Sequence, residues 1–317
     1  RALARRGPRR ARRQRPPTAL RAALEGEELE LLLKAAEAGD PESQFFVGQM
    51  LREGEGMELD KVKAAEWFTK AAEAGMPTAQ YNLGMMLVTG DGVQQDPPKG
   101  AFWLEQAAEQ GEAMAQYFYA MMCLQGDGVP QDMDKGTGFL GAAAEQGIRD
   151  AQYLLGSMLL DTPKQAVKEK QWAAHWLNKA AEQNDTRAQH QIARMFLFGI
   201  GMEEDVLKAA NWCSSAANGG LPDAQYLMGT MLLSGTGVEE NRSWAAHWFE
   251  EAAKQGHVDA QYNLGLMLES GDGVPEDKEK ADYWFQMAAA QGDDEAAKTG
   301  QEVRDGVQPP PPRGRPR

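Results

Sequence analysis

The chain has 317 residues, 42% of them apolar, and a formal net charge of -14. Nine of its 33 basic residues fall within 1–21 and three within 309–317, leaving 21 against 47 acidic residues between them, a balance of -26. So acidic a middle repels phosphate, which argues against nucleic acid as its ligand, and no apolar run approaches the ~20 residues of a membrane-spanning helix.

Residues 1–24 are Arg-rich, contain Pro8, Pro16 and Pro17, and lack any hydrophobic period, so they read as a disordered tail. The segment is acid-free like an organelle transit peptide but has no apolar core of a secretory signal and no Ser. The expectation is an intracellular, cytoplasmic protein, with organelle targeting by this segment as the alternative. Glu25 to Gly39 then reads EGEELELLLKAAEAG, the second half of a unit whose first half is missing, as in a terminal cap.

A repeated unit follows, typified by Ala79 to Gly111, AQYNLGMMLVTGDGVQQDPPKGAFWLEQAAEQG. Its Gln recurs at Gln44, Gln80, Gln116, Gln152, Gln189, Gln225 and Gln261, at intervals of 36 or 37 residues, the signature of a stacked array. In each unit Ala79, Leu83, Met86 and their counterparts mark one face of a first helix, helix A. A Gly-x-Gly loop closes that helix, as at Gly90/Gly92 and Gly271/Gly273. Asp60, Asp96, Asp132, Asp205 and Asp277 stand where a second helix, helix B, needs an N-cap. Helix B carries Trp67, Trp103, Phe139, Trp176, Trp212, Trp248 and Trp284, and ends at Gly75, Gly111, Gly147, Asn184, Gly219, Gly256 and Gly292. In the fourth unit Leu160-Asp161-Thr162-Pro163-Lys164 replaces the Gly-x-Gly loop, which predicts a differently shaped connection. After a weak final frame near Ala296, VQPPPPRGRPR reads as an extended polyproline-type tail.

Three ladders decide the packing. Small residues (Gly48, Gly84, Ala120, Gly156, Ala193, Gly229, Gly265) let helices approach, and Met50, Met86, Met122, Met158, Met195, Met231 and Met267 fill irregular gaps. The helix B aromatic is expected to fill the space beside the small residue. A stripe repeated once per unit is core, not a cofactor box.

These residues resemble the Sel-1-like repeat, a relative of the tetratricopeptide repeat with a slightly longer unit. The likeness covers about 25–300, and departs only where the family often has Tyr after the Met and this chain has Leu51, Leu87, Cys123, Leu159, Phe196, Leu232 and Leu268. It implies an all-α fold, a right-handed α-solenoid of about seven helix-turn-helix repeats of 36–37 residues with terminal cap helices. It further implies a non-catalytic adaptor or scaffold for protein–protein interaction. The expected organisation is a tail over 1–24, the solenoid over 25–300, and a disordered Pro/Arg-rich tail over 301–317.

If helices A line the concave side, as the resemblance implies, partner-binding residues neighbour the buried stripe and vary between units. These are Asn82, Met85 and Thr89; Phe118, Met121 and Gln125; Leu154 and Ser157; Gln191, Arg194 and Phe198; Leu227, Thr230 and Ser234; Asn263, Leu266 and Ser270. Exposed Phe118, Met121, Phe198 and Leu227 would make an apolar groove for a peptide or helix. Asn82 and Asn263 would hydrogen-bond a peptide backbone, as the resemblance to tetratricopeptide arrays implies. The acidic balance suits a plainly solvated face first, and a basic protein or peptide as the second reading.

No catalytic, cofactor or metal residues are expected. His175 and His247 share one repeat position two units apart, too far for a common metal. Cys123 and Cys213 lie in separate repeats beyond disulfide reach and read as reduced apolar side chains. The Gly-Asp-Gly loops lack calcium- or phosphate-loop spacing, and the sequons at Asn184 and Asn241 have no secretory signal to give them meaning. Two other readings were weighed: a hydrolase of the β-lactamase type, and an adaptor whose basic N-terminus binds nucleic acid or anionic membrane.

Overall fold

The computed structural model describes residues 26–161 and 167–313. The expectations for the N-terminal tail, and for most of the fourth unit's replacement loop, fall outside them. The described residues form sixteen α-helices and no strand, so the fold is an all-α repeat solenoid.

The chain divides into two units at Ala142/Ala143. Unit 1 holds α1 (Glu27–Glu37), α2 (Pro41–Glu53), α3 (Lys61–Glu73), α4 (Pro77–Thr89), α5 (Pro97–Glu109), α6 (Ala113–Gln125) and most of α7 (Met133–Glu145). Unit 2 holds the end of α7 and α8 (Arg149–Leu160), α9 (Val167–Glu182), α10 (Thr186–Phe198), α11 (Val206–Asn218) and α12 (Pro222–Ser234). It continues with α13 (Arg242–Lys254), α14 (Val258–Ser270), α15 (Lys278–Ala290) and α16 (Asp294–Arg304). Helices A are α2, α4, α6, α8, α10, α12 and α14.

Local chemistry sets the helix ends. Asp60, Asp96, Asp132, Asp205 and Asp277 each accept the backbone N–H three residues on, at 2.9–3.1 Å. Asn241, half of a sequon, caps α13 in the same way through Trp244 N–H at 3.0 Å. Asn184 takes the left-handed conformation, φ 63°, in the place of a glycine. One expectation needs correction: Gly219 is right-handed, φ -73°, and the left-handed residue is Gly220. The loop glycine Gly92 is required twice over. Its φ is +77°, and a Cβ there would stand 2.5 Å from Lys61 Cβ, on the first turn of the preceding helix B.

The small-residue ladder does draw helices together, but its partner is not the aromatic that the pattern suggests. A Cβ on Gly48, Gly84, Gly156, Gly229 or Gly265 would collide with Phe68, Leu104, Leu177, Phe249 or Phe285, the residue after the aromatic. Those five side chains are at most 1% exposed, while Trp67, Trp103, Trp212, Trp248 and Trp284 are only partly buried against the core. The reason is helical: one residue is a rotation of ~100°, so only one of two adjacent bulky residues can point at the neighbouring backbone. Trp176 is the exception, buried at 8%. The Met ladder is buried at Met50, Met86, Met122, Met195, Met231 and Met267 and half-buried at Met158.

Each repeat Gln is the polar core. Its Nε2 donates to the carbonyl eight residues earlier, in the last turn of the preceding helix B, in all seven units at 3.0–3.3 Å. Its Oε1 accepts from the end of its own repeat's helix B, at Gln110, Gln183, Gln255 or Gln291, at 2.7–2.9 Å. The repeat Gln is therefore a tie both within a repeat and to its predecessor.

The chain's end also differs from expectation. α16 runs on to Arg304, and residues 307–313 carry no helix but return to unit 2 at Arg313.

Two stability outcomes follow. Phe249→Ala should cost about 3–5 kcal/mol and Trp248→Ala clearly less, measured by urea unfolding; equal losses would mean the two share the contact. Gln225→Leu removes two hydrogen bonds, to the Ala217 carbonyl and from the Gln255 amide, and should cost about 1–3 kcal/mol in all despite its similar bulk.

Candidate functional site

In unit 1 the face of helices α4 and α6 carries the first group of expected residues. Tyr81 and Phe118 stack at 6.1 Å, and with Met85 lie half-buried against the core. Met121 is half-buried, and Thr89 and Gln125 are exposed. Asn82 is buried, its Nδ2 donating to Thr78 O at 2.6 Å and its Oδ1 accepting from the Arg52 guanidinium. The Asn82 amide is thus engaged by a side chain of the preceding repeat.

In unit 2 the expected residues divide. Leu154 and Ser157 are half-buried, and Phe198 is 43% exposed. Gln191 and Arg194 are half-buried and line a cavity of about 1050 Å³ with Leu160, Lys170 and Ile200. Leu227 is not exposed as expected but 2% accessible, and Thr230 and Leu266 are 1% accessible. The Thr230 hydroxyl donates to Leu227 O at 2.7 Å, inside its own helix. Ser234 and Ser270 are exposed, with hydroxyls donating to the carbonyls of Thr230 and Leu266. An apolar groove with Leu227 exposed in it is therefore not formed.

Asn263, 0% exposed, makes the contact that defines the site. Its Oδ1 accepts Arg313 N–H at 2.9 Å and its Nδ2 donates to Arg313 O at 3.0 Å. A side-chain amide meeting both main-chain groups of one residue recognises peptide backbone whatever its sequence. The Arg313 guanidinium lies 4.0 Å over the Tyr262 ring. It donates to Asp259 at 2.5 Å, to Asp293 at 3.0 and 3.2 Å, and to Glu295 at 2.6 Å. Burial pushes the Asp293 carboxyl up, but the bonds from Arg313 and Ala296 N–H outweigh it and hold the group below the ordinary carboxylate range. Asp293 also caps α16 through Ala296 N–H at 3.0 Å.

Asn263, expected to meet a partner's backbone, here meets the chain's own Arg313, and Asp259, Tyr262, Asp293 and Glu295 were not among the expected residues. The available signal was the recurrence of Asp-x-x-Tyr at Asp150/Tyr153, Asp223/Tyr226 and Asp259/Tyr262.

Among the groups considered for catalysis, His175 and His247 are exposed on helices B. Cys123 and Cys213 are free and buried. Burial pushes the Cys213 thiol up to about 12 and also raises Cys123, so neither is a thiolate at neutral pH. Burial, with Arg194 and His257 adding to it against Asp223, lowers His190 to about 4. His190 is 9% exposed, and its Nδ1 is buried without a partner among the described residues.

No helix among the described residues is long and apolar enough to cross a membrane. A family model described as the Sel1 repeat matches residues 29–40, 41–76, 77–112, 113–148, 149–185, 186–221, 222–257 and 258–293. The crystal structure of a Sel1 repeat protein from Oxalobacter formigenes is 35% identical with a TM-score of 0.64, over 87% of this chain and 80% of that one. A second, c5321, a protective antigen of uropathogenic Escherichia coli with an SLR fold, is 28% identical with a TM-score of 0.62, over 87% of this chain and 67% of that one. No relative was found among curated proteins.

The lowered His190 gives a pH outcome. Between pH ~6.5 and about 4 the unfolded chain binds a proton that folded His190 refuses, so stability falls as pH drops through that window, on the order of 3 kcal/mol in full. His190→Leu should flatten this part of a urea-unfolding pH series; an unchanged slope would assign it to other groups.

Proposed function

Because the chain belongs to the Sel1 repeat family, we propose that it is a non-catalytic scaffold holding a partner protein on its helix A faces. Sel1 repeat proteins are generally non-enzymatic scaffolds for protein interaction. The single observation that carries the finer reading is the Asn263 amide bonded to both main-chain groups of Arg313. It supports an extended peptide as ligand, since helical backbone has those groups already engaged. In unit 1, separately, the half-buried Tyr81, Met85, Phe118 and Met121 offer apolar contact. The balance of -26 over the middle of the chain favours a basic partner.

Cross-linking of the full chain to captured partners, with the linked positions mapped by mass spectrometry, tests this. Cross-links should fall on helices α4, α6, α12 and α14. Phe118→Glu with Met121→Glu should cut recovery of unit 1 partners at least tenfold with the circular dichroism melt unchanged. Cross-links confined to helices B, or efficient nitrocefin turnover by the purified chain, would overturn the reading.

A further inference from the structure

Three places in unit 2 share one arrangement: a helix A Tyr, an Asp three residues before it, and the N-cap residue of the next helix A. At Tyr153 the Arg187 guanidinium lies 4.2 Å over the ring and reaches Asp150 at 2.8 Å and Asp185 at 2.6 Å. At Tyr226 the N-cap residue is His257, whose imidazole itself stacks on the ring at 4.6 Å and 20°, with Asp223 3.5 Å away. At Tyr262 the two acids are Asp259 and Asp293, but the position matching Arg187, two residues after the capping Asp, is Glu295. This last cage has lost its local cation and gained a third carboxylate. Its cation comes instead from Arg313, 50 residues beyond Asn263 in the chain.

Resting on the peptide-holding role above, we propose that Asp259, Tyr262, Asn263, Asp293 and Glu295 form a binding site for an arginine carried on an extended peptide. Arg313 is its resident occupant, which a partner's arginine displaces. The chemistry selects arginine over lysine. A planar guanidinium stacks on an aromatic face while its several N–H groups reach separate carboxylates, which a point-like ammonium cannot do. Three carboxylates against one guanidinium leave an excess of negative charge that favours basic flanking residues in the ligand. Asn263 fixes the register through the main chain alone. The preceding Pro309 to Pro312 hold their segment extended, so little conformational entropy is lost on seating it. The Arg313 side chain is 26% exposed, with Asp259 at 47% and Glu295 at 59%, so the cage has an open rim through which its occupant can exchange.

The test uses a fluorescent, C-terminally amidated peptide Gln-Pro-Pro-Pro-Pro-Arg and the full chain, read by anisotropy. Arg313→Ala should bind it at least tenfold more tightly than the wild type, because the competitor in cis is gone. Adding Asp259→Asn and Asp293→Asn should remove at least tenfold of that gain; Asn at 293 still caps α16. The same peptide ending in Lys should bind Arg313→Ala at least fivefold more weakly. In parallel, trypsin should cut after Arg313 at least fivefold faster in the Asp259→Asn, Asp293→Asn chain than in the wild type. Equal peptide affinity of wild type and Arg313→Ala, no detectable binding by either, or trypsin cleavage indifferent to the acids would overturn the assignment. Cross-links on helices A combined with any of these results would leave the scaffold role standing and remove only the arginine site.

Discussion

A buried glutamine at each helix A start is the tie on which the array depends. In every unit its amide nitrogen donates to a carbonyl in the last turn of the preceding helix B, which also accepts the backbone N–H three residues on. The tie fixes the turn between helix B and the next helix A, and its cost of omission is high because the site is dry. Where helix B of the same repeat ends in a Gln, as at Gln255 for Gln225, the same side chain also ties the repeat's two helices together. Where position 74 is Ala, Gln44 Oε1 is left buried and without a partner among the described residues.

Around this polar tie the apolar core is built by close approach rather than by bulk. Glycine at Gly84 or Gly229 brings helix A against a Leu104 or Phe249 that is completely enclosed. The neighbouring tryptophans then cover the flank. Second-position loop glycines such as Gly92 sit on the first turn of the preceding helix B, so the loop seals the same junction from its other end. The inter-repeat pairs Lys61–Asp91 and Ser243 Oγ–Gly273 O follow the same contact.

Function lies on what this frame leaves free. Helix A positions outside the Gln, small-residue and Met ladders can vary without loosening a repeat, and Asp-x-x-Tyr in unit 2 uses that freedom to build cation cages. Arg187 and His257 fill two of them from within the frame. The third is filled by Arg313, from beyond the matched repeats.

The repeat length, the helix pairs, the capping Asp residues and the left-handed Asn184 were all legible in sequence, because periodicity and caps are local properties of the backbone. Asn263 was recognisable for the same reason, standing at a variable position on a known helix face. Which of two adjacent bulky residues enters the core was not, since Trp248 and Phe249 have equal claim until the rotation of helix B against Gly229 is known. Nor was the exposure of Leu227, which depends on neighbouring helices. The Tyr262 cage was least visible of all: its acids come from α14 and α16 and its arginine from beyond Gly306, and only folding brings such distant charges to one place.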